Sequence, residues 1–572
     1  MKAIRKGLSL LIVVVMLLSL SSCVNPKESA RQKFEKLTNT IFIEFITYDT
    51  LSLHYTVAYP KNFGINDYPI TLGSYSEESI QAGYAEYEKW LAELNSINYD
   101  FLTVDQQLTY DILLGHFTTE LEAADLYLYT EPLSSVSGDH LNLPILLAEY
   151  AFNTRQDISD YLALLETVEP YYREIIDFET RKSEAGLFMA DFSADLVIKT
   201  CQEFIATPDS NYLIERFDDK IDDFPDLTEE ENATYKAANR ELVLNNVVAA
   251  YNILIEGLTS LKGTGKNEAG LSNFANGKSY FKYIVKREVG SKRSIRKIKS
   301  MIMNKLDQDR NQIIQLLKKD ETILDKMLAI DLMTDDFQST LSELSEKMLV
   351  NYPAGPEVTY TVKQVHPSMA ESASPAFYIK PTIDQYDANV IYVNGEADIQ
   401  TLAHEGFPGH MYQSTYFAAT NPAKIRLIIN IKGYSEGWAT YAELSSIQMS
   451  GLDEDMAVAL DANYSYTLGI YSLVDIGINY DGWTRQDTAD FLNEIGISEP
   501  DVHKQMFENI VGSPGNYLNY YVGYLEILEL KEDAEEALGS GFDLKAFNKF
   551  LLDVGPACFD ILSDKLDHFL EQ

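Results

Sequence analysis

The chain has 572 residues, 46% of them hydrophobic, and carries 87 acidic side chains against 46 basic ones. Its net charge of −41 argues against binding to nucleic acid and against adsorption to anionic lipid, because both interactions require a basic surface. Three cysteines do not make a disulfide framework in a chain of this length. The hydrophobic content is sufficient for a large core arranged in two or three lobes.

The N-terminus is typical of an export signal. A basic start precedes an apolar run over residues 8–20, which is short for a mature transmembrane helix. The following Leu20-Ser21-Ser22-Cys23 resembles a bacterial lipobox, in which Cys23 becomes lipidated; the alternative is an ordinary signal peptide with an incidental cysteine. We predict a signal peptide over residues 1–22 and a polar tether over 23–35. Lipid on Cys23 would anchor the protein at the outer face of the cytoplasmic membrane.

Helical periodicity dominates residues 36–350, which we interpret as a helical N-terminal domain. Residues 351–394 differ, because short β-branched or aromatic runs at 358–365, 376–380 and 389–393 alternate with turn residues. They predict a small sheet at about 356–394. Asn394 is placed to cap a helix that begins near Gly395, and the helical pattern then continues to the C-terminus. The sequence therefore predicts a mainly α fold, with the small sheet next to the helices of a second domain, 351–572.

A basic cluster interrupts this acidic chain. It could steer an anionic substrate group, such as the C-terminal carboxylate of a peptide. The alternative is a solvated helix face whose cations pair with acids elsewhere in the protein. The cluster comprises Lys286, Arg287, Lys292, Arg293, Arg296, Lys297 and Lys299.

The most informative segment reads His404-Glu405-Gly406-Phe407-Pro408-Gly409-His410. A zinc-binding helix usually carries two histidines four residues apart, on one face. Here they are six apart, which on a regular helix means about 120° around the axis and about 9 Å along it. Pro408 cannot sit inside a regular helix, and the flanking glycines permit unusual backbone. We predict that the helix breaks or bulges at 406–409, so that His404 and His410 converge.

A second carboxylate, Glu436, begins a predicted helix over residues 436–449 and would be the third ligand of a zinc ion. Three protein ligands leave one position for water, which is the catalytic arrangement, and Glu405 is placed to accept a proton from that water. Thr440 and Glu443 lie on the same face as Glu436 and are predicted to form hydrogen bonds with the ligand histidines. The alternative is a tight interhelical turn that holds no metal.

These two segments resemble the bacterial domain-of-unknown-function 885 family (DUF885), many members of which are lipoproteins. Further agreement lies at 143–150, 374–378, 474–477, 520–524 and 542–547, so the resemblance covers nearly the whole mature chain. It implies a mostly helical fold like that of gluzincin-type zinc metallopeptidases. By that analogy His404, His410 and Glu436 bind zinc, Glu405 is the general base, and residues 351–572 are the catalytic domain.

Two positions depart from the family pattern. Asn479 and Asn548 stand where relatives often have histidine. If either histidine assists catalysis in those relatives, activity in this chain would be altered or lost.

Hydrolysis of an amide also requires a donor for the developing oxyanion. The loop 512–516 is followed by Tyr517, Tyr520, Tyr521 and Tyr524, and Tyr520 matches the tyrosine of the family best. A tyrosine-rich core helix is the alternative for each of them.

We therefore expect a surface-anchored, zinc-dependent hydrolase with one zinc ion, most simply a peptidase that acts on peptides. Strand 389–393 would align an extended substrate by strand addition. One alternative is a non-catalytic lipoprotein that binds a peptide or another ligand in the same cleft. Another is a zinc hydrolase of other amides or esters.

Overall fold

The structure, a computed structural model, describes residues 25–265, 268–366, 370, 374–385 and 388–570. The predicted signal peptide and Cys23 lie outside the described residues. The helices are α1 (Pro26–Ile46), α2 (Thr50–Thr56), α3 (Glu77–Asn95), α4 (Val104–Leu121), α5 (Asp139–Glu149), α6 (Arg155–Glu166), α7 (Val168–Glu184), α8 (Asp191–Phe204), α9 (Tyr212–Asp223), α10 (Glu229–Leu242), α11 (Val248–Leu261), α12 (Gly277–Ile284), α13 (Ile295–Lys319), α14 (Ile323–Ala329), α15 (Phe337–Lys347), α16 (Ile399–Glu405), α17 (His410–Ala419), α18 (Lys432–Met449), α19 (Glu454–Ile476), α20 (Arg485–Glu494), α21 (Pro500–Gly512), α22 (Asn516–Leu538), α23 (Leu544–Val554) and α24 (Phe559–Leu570).

The strands are β1 (Met333–Thr334), β2 (Tyr360–Gln364), β3 (Ala376–Ile379), β4 (Asn389–Val393) and β5 (Ala397–Asp398). Three of them form a sheet of order β2-β4-β3, in which β4 runs parallel to β2 and antiparallel to β3. The short strands β1 and β5 form a separate antiparallel pair. The predicted mainly α fold with a small sheet before the helix of His404 is therefore confirmed.

The position of β4 corrects one expectation. Strand addition requires unpaired backbone groups at a sheet edge, but β4 is hydrogen-bonded on both sides. The expectation that β4 aligns a substrate by strand addition is therefore wrong. The outer strands of this sheet are β2 and β3.

The start of α16 corrects a second expectation. The cap is Asp398, whose carboxylate accepts a hydrogen bond from the backbone N–H of Thr401 at 2.7 Å. The predicted cap, Asn394, instead donates its side-chain amide to the carbonyl of Ala370. The helix begins later than predicted because the chain first turns at Gly395, with φ of 83°, and then forms β5.

The largest hydrophobic core draws on both predicted domains, since Phe42 and Phe117 belong to the same cluster as Trp438 and Tyr521. Phe34, which lies in the predicted tether, is also buried in this cluster as part of α1. A second cluster is built mainly from α5 to α11. A third, small cluster joins α15, the three-stranded sheet and α16, and so fixes the helix that carries His404. The division at residue 350 stays a prediction.

One helical stretch of the described residues, Glu229–Leu261, has the length and apolar composition of a membrane span. This is weak evidence, because its apolar half, α11, also fits a core helix. Tyr251, Leu254 and Leu258 of α11 are buried in the second cluster.

Helices α18 and α22 approach each other to backbone contact at two glycines. A Cβ atom on Gly437 would lie 2.6 Å from the Cα of Gly523, and a Cβ on Gly523 would lie 3.0 Å from the Cα of Gly437. Such contacts are too short for any other residue at Gly437 without a shift of the helices. These two helices carry Glu436 and Tyr520.

Candidate metal centre

The segment 404–410 forms a tight turn between two helices. Helix α16 ends at Glu405 and α17 begins at His410, and the peptide bond between Phe407 and Pro408 is cis. The predicted interruption of the helix is therefore present, as a break rather than a bulge. The N–H of Gly409 donates to the carbonyl of Ala403 at 2.9 Å, which closes the turn. A Cβ on Gly409 would overlap the carbonyl oxygen of His404, so the turn requires glycine there.

Trp438 holds this turn against α18. Its indole N–H donates to the carbonyl of Pro408 at 2.9 Å, and the whole side chain is buried. Trp438 lies two residues after Glu436, on the same helix. The turn and the third candidate ligand are thus fixed to one element.

The turn brings the two histidines together. Their ring centroids are 4.7 Å apart, and the rings are nearly perpendicular. Nε2 of His404 lies 3.5 Å from Oε2 of Glu436, and Nε2 of His410 lies 3.4 Å from the same oxygen. One candidate ligand atom from each of the three residues lies within 4.8 Å of the corresponding atoms of the other two.

The two nitrogen-to-oxygen separations fit a zinc ion. Two ligand atoms at about 2.05 Å from a metal, with a tetrahedral angle between them, lie about 3.3 Å apart. Both nitrogen-to-oxygen distances are close to that value. Two imidazoles and one carboxylate are also the donor types that zinc takes in catalytic sites, where a fourth position stays open.

Glu443 supports His404 from the opposite side of the ring. Its Oε2 lies 3.1 Å from Nδ1 of His404, as predicted for a residue that orients a ligand histidine. Burial disfavours a charged His404, but hydrogen bonds to Glu436 and Glu443 outweigh it and raise the pKa of His404 well above its ordinary value. Because a carboxylate accepts hydrogen bonds, Nδ1 of His404 is the donor to Glu443, and Nε2 on the other side of the ring faces Glu436.

Thr440 does not take the place predicted for it. It is fully buried on α18, one turn from Glu436, but its hydroxyl has no hydrogen-bond partner among the described residues. The short side chain does not reach either histidine, whereas the longer Glu443 does. The prediction that Thr440 orients a ligand is wrong.

Glu405 and Tyr520 approach the same cluster from two directions. Glu405 is the last residue of α16, next to His404. The ring of Tyr520 is stacked on that of His404, with centroids 6.0 Å apart. Burial raises the pKa of Tyr520, and the nearby Glu436 and Glu405 raise it further. The Tyr520 hydroxyl therefore stays protonated and can donate a hydrogen bond.

The other tyrosines of α22 have different neighbours. Tyr517 packs on Tyr471, with centroids 4.5 Å apart, and Tyr521 shares a hydrogen bond with the buried Ser465. Tyr524 is buried. Of the four candidates, Tyr520 is the one with a ring contact to a candidate ligand among the described residues.

The sequence matches a known protein family over most of its length. The model of a family described as a bacterial protein of unknown function, DUF885, matches residues 61–566. The chain belongs to the DUF885 family. No curated protein matches its sequence.

Two solved structures share the fold. A proposed lipoprotein from Colwellia psychrerythraea matches with a TM-score of 0.82 and 18% identity, over 96% of this chain and 100% of its own. A proposed lipoprotein of unknown function from Shewanella oneidensis matches with a TM-score of 0.64 and 15% identity, over 92% and 98%. A proposed oligoendopeptidase F from Bacillus anthracis gives a TM-score of 0.28 at 13% identity, too low to indicate a common fold.

The two asparagines that depart from the DUF885 pattern form structural hydrogen bonds. Asn479 is fully buried; it accepts from the N–H of Leu271 and donates to Asp475 and to the carbonyl of Ile510. Asn548, also buried, donates to the carbonyl of Asn351. Neither side chain forms a hydrogen bond with a candidate ligand.

The basic cluster of this DUF885 chain is largely neutralised. Its members form ion pairs with acids from other elements, which supports the second of the two interpretations. The pairs include Lys286–Glu122, Arg287–Glu120, Lys292–Asp560, Arg293–Glu526, Lys297–Glu529 and Lys299–Asp481.

Sequence reasoning gave no role to two further residues of the site. Trp438 belongs to a motif shared with DUF885, but no spacing rule predicts that its indole contacts a turn 30 residues earlier. Tyr464, on α19, lies beside Glu443. Burial and that carboxylate raise its pKa, so its hydroxyl stays protonated. Nothing in the sequence around Tyr464 marks it as part of a site.

A cavity of about 370 Å³ opens beside the candidate ligands. His410 and Glu436 form part of its wall, and α17 contributes Gln413. Lys380, just after β3, and Arg426, between α17 and α18, are the two cationic residues of its wall. Its volume lies within the range of small-molecule sites, so a space of that size adjoins the candidate metal centre.

Proposed function

We propose that this protein is a zinc-dependent hydrolase of peptide bonds. The convergence of His404, His410 and Glu436, with ligand atoms 3.4 and 3.5 Å apart, carries the proposal. Glu405 beside a ligand and an open fourth position favour a catalytic site over a structural one. The matching fold of the two lipoprotein structures adds nothing about activity, because their identity to this chain is below 20%.

Zinc at this site would act as a Lewis acid that polarises a substrate carbonyl and lowers the pKa of a water molecule. Glu405 takes a proton from the attacking water and passes it to the leaving amine nitrogen. The Tyr520 hydroxyl donates a hydrogen bond to the carbonyl oxygen as negative charge develops on it. Glu443 keeps the His404 ring in one orientation throughout.

The proposal is tested by metal content and by digestion of a peptide library. We expect close to one zinc ion per chain in the metal-replete protein and none in a His404→Ala variant. We also expect wild-type protein, but not that variant, to cleave peptides. Absence of stoichiometric metal, or the same metal content in both proteins, would remove the basis of the proposal. Cleavage of esters or other amides without cleavage of peptides would instead indicate a zinc hydrolase of those substrates.

The same proposal places the protein in the cell envelope, anchored by lipid on Cys23 with the catalytic residues outside the cytoplasmic membrane. The sequence of residues 1–23 supports this, and both structural relatives are described as proposed lipoproteins. Metabolic labelling with an alkyne fatty acid tests it. Label should be incorporated into the wild-type protein and absent from Cys23→Ala, and protease added to intact spheroplasts should degrade the protein.

A non-catalytic ligand-binding lipoprotein was the main alternative. Its motivation was the presence of Asn479 and Asn548 in place of histidine. Both asparagines have structural hydrogen bonds, so no observation in the described residues favours this alternative over the hydrolase.

A further inference from the structure

The cavity beside the metal centre differs in charge from the rest of the chain. The protein as a whole has a net charge of −41, but the cavity wall carries Lys380 and Arg426, and its one acidic residue is the candidate ligand Glu436. Neither cation forms an ion pair with a described residue. An acidic protein that keeps two unpaired cations next to its candidate active site has a place for an anion.

Arg426 has N–H donors that form no hydrogen bond with a described residue. Its side chain is buried and packs over the ring of Phe417, 5.3 Å from the ring centroid. One terminal nitrogen donates to the carbonyls of Val554 and Pro556, at 2.7 and 3.3 Å. A guanidinium has five N–H groups. Nε is buried without a partner, and the second terminal nitrogen donates to no described residue.

Two other side chains add donors to the same wall. Nε2 of Gln413 is buried and forms no hydrogen bond of normal geometry with a described residue, although the hydroxyl of Tyr434 lies near this amide. Lys380 is exposed at the cavity, although the groups packed around its amine desolvate it and lower its pKa, and it donates one hydrogen bond, to the carbonyl of Leu427 at 3.0 Å. An ammonium group has three N–H donors, so Lys380 has others available. Buried donors without acceptors cost stability unless a ligand supplies the acceptor.

We propose that this cavity, the Lys380–Arg426 pocket, binds the free C-terminal carboxylate of a peptide substrate. The inference rests on the proposed function, since it assigns a substrate class to that same site. A carboxylate matches the unpaired guanidinium and ammonium donors in charge and geometry. The pocket is bounded by His410 and Glu436, so a carboxylate held there places a bond near the chain end against the metal centre. The enzyme would then release short C-terminal fragments.

Binding to a metal-replete Glu405→Gln variant of the full-length protein tests the pocket without hydrolysis. The probes are an N-acetylated Ala-Ala-Phe with a free carboxylate, the same peptide as a C-terminal amide, and an amide that ends in Glu. Calorimetry should show the free acid binding about 10- to 100-fold more tightly than either amide, the range expected for hydrogen bonds to a charged group. Equal affinity for the free acid and the first amide would overturn the proposal. Tight binding of the Glu-ending amide would assign the pocket to an acidic side chain instead.

Substitutions in the same background locate the selectivity. Lys380→Met should reduce the preference for the free acid about tenfold or more, and Arg426→Gln should reduce it further. Lys424→Met is the matched control, because Lys424 lies in the same short turn as Arg426 but outside the cavity wall. Arg426→Gln also loses bonds to Val554 and Pro556, so the exposed Lys380 is the decisive site. An unchanged preference in Lys380→Met, in a folded protein, would contradict the assignment.

The outcomes separate this inference from the proposed function. If the wild-type protein cleaves free acids and amides at equal rates, the proposed hydrolase activity stands and the proposed carboxylate pocket is contradicted. If the protein cleaves no peptide but prefers the free acid in the binding assay, the proposed hydrolase activity is contradicted and the carboxylate pocket is supported. Mass spectrometry of digests adds a further check, because internal fragments in place of short C-terminal ones would contradict the inference.

Discussion

The indole N–H of Trp438 donates to the carbonyl of Pro408 at 2.9 Å, and this bond joins the two parts of the candidate metal centre. Pro408 belongs to the turn that brings His404 and His410 together, and Trp438 belongs to the helix that carries Glu436. The convergence of two histidines that are six residues apart is therefore supported by a hydrogen bond between residues that are not candidate ligands.

Replacement of Trp438 by Phe should disturb this arrangement. The variant leaves the buried carbonyl of Pro408 without its donor, at a cost of about 1–3 kcal/mol in the free energy of unfolding. The zinc affinity should fall as well, because the turn is less well fixed. Thermal unfolding and zinc titration measure both effects. Trp483→Phe, which packs on Phe491, is the control for loss of an indole elsewhere. Unchanged zinc affinity in Trp438→Phe would show that the turn keeps its conformation without this hydrogen bond.

Glu443→Gln should weaken zinc binding by about 10- to 100-fold, because Glu443 orients His404 through Nδ1. Competition with a metal chelator measures the affinity. Thr440→Val is the matched control on the same helix face, since its hydroxyl has no partner among the described residues. A larger loss in Thr440→Val than in Glu443→Gln would reverse the roles given to the two residues.

Glu405→Gln should keep zinc and lose hydrolysis. Glu405 is not one of the three converging ligands, and removal of a general base typically lowers the rate about 10²- to 10⁴-fold. Elemental analysis and peptide cleavage measure the two properties on the same preparation. Full activity in this variant would exclude Glu405 as the base.

Tyr520→Phe should lower kcat by about 10²- to 10³-fold and leave KM nearly unchanged, because the hydroxyl acts on charge that develops in the transition state. Tyr517→Phe is the control, since Tyr517 lies three residues earlier on the same helix and packs on Tyr471. Comparable losses in both variants would indicate damage to α22 rather than loss of an oxyanion donor.

Asp475 gives a pH dependence that does not involve the ligands. Burial raises the pKa of Asp475 to about 7, while bonds from Asn479 and from the N–H of Gly515 oppose the shift. Since the pKa in the folded state lies above the unfolded value of 3.8, stability is greatest below about pH 4 and falls as the pH rises through 7. The loss at pH 8 is up to roughly 4 kcal/mol.

Asp475→Asn isolates this effect. The substitution has a constant cost, because an amide cannot accept from both Asn479 and Gly515 in the same way. The melting temperature of the variant relative to wild type should nevertheless rise between pH 5 and pH 8, since only the wild type loses stability from ionisation of this carboxyl. A difference that stays constant over that range would show that Asp475 is ionised throughout.

The sequence was sufficient to predict the helical class, the three strands and the broken helix at 406–409. Period-two runs, and a proline that cannot sit inside a helix, are local signals. These inferences depend on short-range stereochemistry. The convergence of Glu436 with the two histidines was expected instead from a facing helix and from the motif shared with DUF885.

Other features depend on contacts between distant segments. Strand order cannot be read from strand patterns, so the central position of β4 was missed. Thr440 and Glu443 occupy the same helix face, and only the geometry of the neighbouring helix decides which of them reaches His404. Arg426 and Lys380 are ordinary basic residues in the sequence. That neither forms an ion pair with a described residue becomes visible only in the folded chain.

Gly437 and Gly523 have no functional group, yet they set the distance between two that do. Because each leaves room for the backbone of the other, α18 and α22 come close enough for Glu436 and Tyr520 to serve one site. Relatives that keep all three ligands but carry a larger residue at either glycine should hold zinc while their tyrosine stands too far away. In a survey of the family, this glycine pair would therefore separate chains able to stabilise an oxyanion from chains that only bind metal.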